Sequence, residues 1–206
     1  MTFKVKTVLL CFMASLAIIL PSRAGDRTEI ALKTNLLYDL TTTPNLGLEI
    51  GAGPRSTINL VYGLNPWSFH GTNGKHQAKH WVLMPEYRWW FCTKFDGHFL
   101  GVHAMGGQFN ASRLHIFLPG GFFGGENLIK GVRDHRYEGW FAGGGISYGY
   151  QWILSRHWNF EAEIGIGYNY INYKKFDCNT CSRKTGEGHT NYAGVTKAAL
   201  SLVYLF

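Results

Sequence analysis

The chain has 206 residues and a formal net charge of +7, and its charged residues make up only 16% of the composition. This length allows one domain of ordinary size, and the low charged fraction is unusual for a water-soluble secreted domain. The basic excess is not arranged as Lys and Arg interleaved with aromatics, which argues against nucleic acid as a partner.

The first element is an export signal. Two lysines are followed by an apolar run over 8–20 and by a small-x-small cleavage site at Ser22 and Ala24. A retained anchor is less favoured, because a spanning helix requires about 20 apolar residues. We expect 1–24 to be a cleaved signal peptide and 25–206 to be one exported domain, whose formal charge falls to +4 because three basic residues are removed.

The rest of the chain alternates repeatedly between apolar and polar residues, a pattern typical of strands with one apolar face. Over 158–170, every second residue is apolar or aromatic, and the residues between are polar or glycine. A soluble sandwich also alternates, but polar residues with glycine suit the inside of a narrow lipid-embedded barrel. In chain order, the residues predicted to face outward are Ile30, Leu32, Leu36 and Tyr38; Leu46, Leu48, Ile50 and Ala52; Ile58, Leu60, Tyr62 and Leu64; Trp81, Leu83, Tyr87, Trp89 and Phe91; Leu100, Val102 and Ala104; Trp140, Ala142, Ile146, Tyr148, Tyr150 and Trp152; Trp158, Phe160, Ala162, Ile164, Ile166, Tyr168 and Tyr170; and Leu200, Leu202, Tyr204 and Phe206.

The links between these eight predicted strands provide a separate indication. The links after strands two, four and six are short, whereas those after strands three, five and seven are long and polar: 53–56, 93–97 and 155–157 against 65–79, 110–134 and 174–190. An even strand number is typical of single-chain outer-membrane barrels. The predicted fold class is all-β: an eight-stranded antiparallel up-and-down transmembrane β-barrel with short periplasmic turns and longer extracellular loops.

The same alternation predicts which charged side chains point inward. An eight-stranded barrel is wide enough only for its own side chains, and charges removed from water must be paired. We therefore expect an interior salt-bridge network that fills the barrel, with an ion or proton path as the less favoured alternative. The predicted members are Lys33, Glu49, Glu86, Arg88, Glu161, Glu163 and Lys197, and Asp39 is also expected to turn inward.

Three cysteines follow the predicted signal peptide. Cys178 and Cys181 lie in a polar segment, where we expect a local disulfide in an oxidising compartment. A zinc site is less favoured, because it requires two more ligands and only His189 is near in sequence. Cys92 is expected to be a buried thiol. No metal or cofactor is expected.

One predicted outer loop is unusually apolar. Its side chains either pack on neighbouring loops or form a contact surface for a partner, and the sequence leaves both open. The glycine-rich stretch 120–125 lacks the Lys-Ser/Thr ending of a phosphate loop, so no nucleotide is expected. The apolar loop residues are Leu114, Ile116, Phe117, Leu118, Phe122 and Phe123.

Four segments carry a family resemblance. ALKTNLLYD at 31–39, TPNLGLE at 43–49 and NPW at 65–67 resemble a Bacteroidetes family of small outer-membrane β-barrels of unassigned function. PEYRWW at 85–90 is similar to that family too. The resemblance implies the barrel fold and the outer membrane, and it implies no catalytic residues.

Two functions remain as expectations. The first is a non-enzymatic outer-membrane barrel that contacts lipid and is either structural or contacts an envelope or surface protein through its outer loops. The alternative is an enzyme that modifies lipid A or phospholipid acyl chains, which requires a Ser or His nucleophile system oriented by a carboxylate. No His-x-Ser motif occurs, but Ser147 and His103 are both expected to point inward.

Overall fold

The computed structural model describes residues 30–71, 74–112, 135–177 and 184–206. The predicted signal peptide at 1–24, the apolar loop residues within 114–123 and the pair Cys178 and Cys181 lie outside the described residues, so these expectations stay predictions.

Strands dominate the part of the chain that the structure describes. One short helix follows the first strand, and it is neither long nor apolar enough to cross a membrane. The elements are β1 (Ile30–Asn35), α1 (Leu36–Leu40), β2 (Asn45–Gly53), β3 (Ser56–Asn65), β4 (Ser68–Gly71), β5 (Gly74–Trp90), β6 (Gly97–Ser112), β7 (His135–Ile153), β8 (Trp158–Asp177) and β9 (Lys184–Leu205).

Eight of these strands form one closed antiparallel sheet. The order around the ring is β1-β2-β3-β5-β6-β7-β8-β9, and β9 pairs back with β1. β4 pairs only with the start of β5 and extends the ring as a hairpin. The prediction of an all-β fold with eight antiparallel strands is therefore confirmed.

The strand register is staggered around the ring. Starting at Ala31, one can step from each residue to its partner on the next strand, through β2, β3, β5, β6, β7 and β8; this path arrives at Gly194 on β9. Where the ring closes, however, Ala31 pairs directly with Leu205, which is eleven residues after Gly194 on β9. Such a stagger means that the strands are inclined to the axis of the closed sheet, typically by about 35–45°.

The two faces of the closed sheet have opposite polarity. Val102 and Ile146 point outward and are 63% and 59% exposed, whereas Glu49 and Glu161 point inward and are fully buried. From Trp140 to Trp152 along β7, every outward position is apolar, aromatic or glycine. Water-soluble proteins bury apolar groups and expose charge, so this closed sheet has the reverse arrangement.

Short turns join β2 to β3, β5 to β6 and β7 to β8, and we call this end of the ring the short-turn end. Phe95 has a φ of 65° and projects inward from its turn. Its ring lies 6.0 Å from that of Trp90, which lies 4.8 Å from the ring of Phe99. Asn159 donates a hydrogen bond of 2.9 Å to the Phe95 carbonyl. This apolar cluster fills the short-turn end and comprises Ala31, Trp90, Phe95, Phe99, Val203 and Leu205.

At the opposite end, α1 replaces the expected continuation of the first strand. The Asn35 side chain accepts a hydrogen bond of 3.1 Å from the Leu37 amide, which is the N-cap contact that begins a helix. The outward prediction for Tyr38 is therefore wrong, because this side chain lines an interior cavity. The inward prediction for Asp39 is also wrong: this residue is exposed and accepts hydrogen bonds from Thr34 and Asn45.

Three further expectations are corrected. The predicted long links at 65–79 and 174–190 are in large part strand, since β4, the start of β5, and the ends of β8 and β9 occupy them. In these two links, hydrogen bonding to a neighbouring strand continues the strands past the point where the alternation of apolar and polar residues ends. Cys92 is exposed, not buried, because it is the second residue after the end of β5 and lies outside the alternating pattern.

Candidate functional site: a buried charge network

The seven charged side chains predicted to point inward are brought together by five strands. β1 supplies Lys33 and β2 supplies Glu49, both at inward positions of the alternation. Because the side chains of each strand alternate between the two faces and paired residues of neighbouring strands point to the same face, the inward residues of different strands come together in the interior. All seven are at least 92% buried: Lys33, Glu49, Glu86, Arg88, Glu161, Glu163 and Lys197.

Arg88 lies at the centre of the network. Its Nε donates to Glu86 at 2.6 Å, and Nη1 donates to Glu49 at 2.8 Å. Nη1 and Nη2 donate to the two oxygens of Glu161 at 2.9 and 3.0 Å, and Nη2 also donates to Glu163 at 2.7 Å. The planar fork of a guanidinium suits bidentate contacts of this kind. One arginine therefore contacts all four carboxylates.

Lys33 bridges one pair of these carboxylates. Its Nζ lies 2.5 Å from Glu49 Oε2 and 2.9 Å from Glu161 Oε2. These carboxylates come from β2 and β8, which are not neighbours in the ring, so the contact spans the interior.

Lys197 bridges the other pair. Its Nζ lies 2.7 Å from Glu86 Oε2 and 2.9 Å from Glu163 Oε1. The network thus consists of one central guanidinium, with a lysine on each side shared by two carboxylates.

Neutral side chains complete the contacts of two glutamates. Thr57 donates to Glu49 at 2.5 Å. Ser147 donates to Glu86 Oε1 at 2.6 Å, and Asn59 donates to Glu86 Oε2 at 3.1 Å. Buried charges are tolerated when their remaining lone pairs are satisfied in this way.

A cavity of about 20 Å³ adjoins the network and extends toward α1. Arg88, Glu163 and Lys197 line its charged side, and Tyr38 and Asn45 line it near the end that carries α1. Burial raises the pKa of the Tyr38 phenol. A cavity of this size has room for about one water molecule.

Ser147 and His103 both lie inside the ring, but each has another partner. Ser147 donates to Glu86, and His103 Nε2 lies 2.9 Å from the Thr196 hydroxyl oxygen. These contacts do not form the Ser–His pair that an activated nucleophile requires. In the described ranges, no three His, Cys, Asp or Glu side chains are grouped as metal ligands.

Some interior residues were missed from the sequence. Thr57 is fully buried and contacts the network, yet a threonine in an alternating strand gives no specific signal. Phe95 lies in a short turn, where a large aromatic residue is itself a signal that the turn packs inward. Arg88 also stacks on the Phe99 ring at 4.4 Å, which joins the network to the apolar cluster at the short-turn end.

Comparison with known proteins identifies the family of the chain and assigns it no function. A search of curated proteins finds no match to the chain. A family model described as a protein of unknown function, DUF3575, matches residues 8–206. Because this match spans nearly the whole chain and includes every strand that supplies the network, the chain belongs to the DUF3575 family of proteins of unknown function.

Proposed function

We propose that this chain is a transmembrane β-barrel of a bacterial outer membrane, exported by a cleaved signal peptide, with a structural role in the envelope. The observation that carries the proposal is the continuous apolar outer face of the closed sheet. A closed sheet leaves no unpaired strand in the ring, which is the condition under which strands cross a hydrocarbon layer. The resemblance to Bacteroidetes outer-membrane barrels supports the same proposal.

The height of the apolar face supports a membrane-spanning role. On β7 the outward aromatics Trp140 and Trp152 are twelve residues apart. At about 3.3 Å per residue and an inclination of about 40°, this separation is about 30 Å along the axis. Outer-membrane barrels carry an apolar band about 25 Å tall between two aromatic girdles, and the spacing of the two tryptophans supports such a girdle role.

The apolar face also ends abruptly. Beyond Trp140, toward the start of β7, the next outward residues are Glu138 and Arg136, which form a partly exposed ion pair at 3.6 Å. On β8, the outward residues beyond Tyr170 are Asn172 and Lys174. A change from apolar to charged residues on the same face of neighbouring strands is expected where a membrane meets water.

The side chains that fill the interior favour a structural role over the role of a channel for solutes. The charge network crosses the ring, and the Phe95 cluster fills the short-turn end. Outer-membrane lipid is then the principal contact of the barrel, and the segments beyond the apolar band are the surfaces offered to an envelope or surface protein.

Gel mobility of isolated outer-membrane fractions tests this proposal. The expected result is that unboiled protein in SDS migrates faster than boiled protein, because the closed barrel resists detergent until it is heated. Recovery of the chain in the soluble periplasmic fraction, with equal mobility before and after boiling, would overturn the proposal.

A further inference from the structure

The charge network is not balanced. It contains four carboxylates and three cations, so it has one negative charge in excess when every group is ionised: Glu49, Glu86, Glu161 and Glu163 against Lys33, Arg88 and Lys197. An uncompensated charge removed from water is strongly unfavourable, and a buried group neutralises before it accepts that penalty.

His103, the titratable neighbour of the network, does not supply the missing positive charge. Its Nε2 is paired with Thr196, and its buried Nδ1 has no hydrogen-bond partner. An imidazolium donates from both nitrogens, so a charged His103 would leave a buried donor unsatisfied. These contacts favour a neutral imidazole, which leaves the compensating proton to a carboxylate.

The four carboxylates differ in how many donors they receive. Glu86 receives hydrogen bonds on both oxygens, from Arg88, Lys197, Asn59 and Ser147. Both oxygens of Glu49 and both oxygens of Glu161 are likewise satisfied: Glu49 by Lys33, Arg88 and Thr57, and Glu161 by Lys33 and Arg88.

Glu163 is the exception among the four. Its Oε2 accepts from Arg88, but its buried Oε1 has no hydrogen-bond partner. Lys197 Nζ lies 2.9 Å from this oxygen, although this ion pair lacks hydrogen-bond geometry. A proton on this oxygen displaces no hydrogen bond, and Lys197 remains paired with Glu86 Oε2 at 2.7 Å.

A cavity lies beside Glu163 on the side of the network that faces α1. The cavity of about 20 Å³ is lined by Glu163 and Lys197 at the network and by Tyr38 and Asn45 near α1, and it accommodates about one water molecule. At the other end, the cluster around Phe95 separates the network from the short turns.

We propose that the network is a proton-binding site, in which Glu163 Oε1 carries one proton at neutral pH and exchanges it through the cavity below α1. The inference goes beyond the proposed structural role, and it stands on the charge balance and contacts of the interior.

Infrared spectroscopy of the purified, folded full chain at neutral pH tests this site. Exposed carboxylates are ionised at that pH, so the carbonyl stretch of a protonated carboxylic acid reports a buried proton. We expect this band in the unaltered protein, and we expect it to shift on transfer to D₂O because the proton exchanges. Its absence from the unaltered protein, or a band that does not shift, would overturn the proposal.

Two matched variants locate the proton. Glu163→Gln is expected to abolish the band, since the amide removes one charge and keeps the shape of the side chain. Glu187→Gln changes an exposed glutamate of β9 paired with Lys184, and it is expected to leave the band unchanged. A full band in folded Glu163→Gln protein would place the proton on another carboxyl and contradict the assignment.

Discussion

Two lysines on β9 show how much the position of a charge matters at the scale of single residues. Lys197 is buried and bridges Glu86 and Glu163, whereas Lys184 forms an exposed pair with Glu187. Removing one partner of a buried ion pair leaves an uncompensated charge, while exposed pairs contribute little because water screens them. The same substitution is therefore expected to have very different effects at the two positions.

Lys197→Met is expected to lower the free energy of unfolding by about 3 kcal/mol or more, because the buried Glu86 carboxylate loses this cation and the network keeps an uncompensated negative charge. Lys184→Met is expected to leave it almost unchanged, because water screens the exposed pair with Glu187. Urea unfolding of the folded protein in vesicles measures both. Equal effects of the two substitutions would mean that the network does not stabilise the ring.

Individual residues also show where sequence reasoning succeeds and fails. Inward Lys33 and outward Ile164 follow from the period of two, which a paired strand imposes on every side chain. The apolar alternation continues past Asn35 and predicts an outward Tyr38, but the Asn35 side chain caps a helix there and breaks the period. Cys92 is predicted to be a buried thiol, although it lies beyond the end of its strand and is exposed.

At the scale of elements, α1 and the start of β2 form a hydrogen-bonded cap at one end of the ring. The Asn45 side chain accepts from the Asn35 amide at 2.7 Å and donates to the Asn35 carbonyl at 3.1 Å. It also donates to Asp39 at 3.0 Å and lies 3.3 Å from the Thr43 carbonyl. One asparagine thus ties β1, α1 and the following link together.

Asn45→Ala is expected to loosen this cap, because several partly buried donors and acceptors lose their partner. A loss of about 1–3 kcal/mol is typical for such a change, and it should appear as faster amide hydrogen exchange across α1 and residues 41–44. Asn191→Ala, at an exposed position of β9, serves as the control. Unchanged exchange across α1 in the Asn45 variant would show that the cap does not depend on this side chain.

The strands themselves were predictable from the sequence, but their ends were not. Alternation marks a strand only where its two faces meet different surroundings, as at Ile146 and Ser147 on β7. Beyond that region, β8 continues to Asp177 and β9 begins at Lys184, since ladder pairing with a neighbour holds a strand without an apolar face. The inward turn at Phe95 depends on a φ of 65°, which no periodic pattern reveals.

At the scale of the whole molecule, closure of the sheet and reversal of its polarity are linked. A closed ring pairs β1 with β9, and it encloses a volume that eight strands can fill with side chains alone. The alternation along each strand that points the charged side chains into this volume also points the apolar side chains outward. The chain is then expected to contact lipid along outward Ile146 and to contact water at Glu138, which lies on the same strand and the same face.

Spin labels at these two positions test that claim most directly. Each label is attached to a single introduced cysteine, in protein whose native cysteines have been replaced and which has been folded into phospholipid vesicles. If the outer face is embedded in lipid, the Ile146 label collides with dissolved oxygen and is shielded from a water-soluble relaxation agent, while the Glu138 label behaves in the opposite way. An Ile146 label as accessible to the water-soluble agent as the Glu138 label would mean that the apolar face of the closed sheet does not contact lipid.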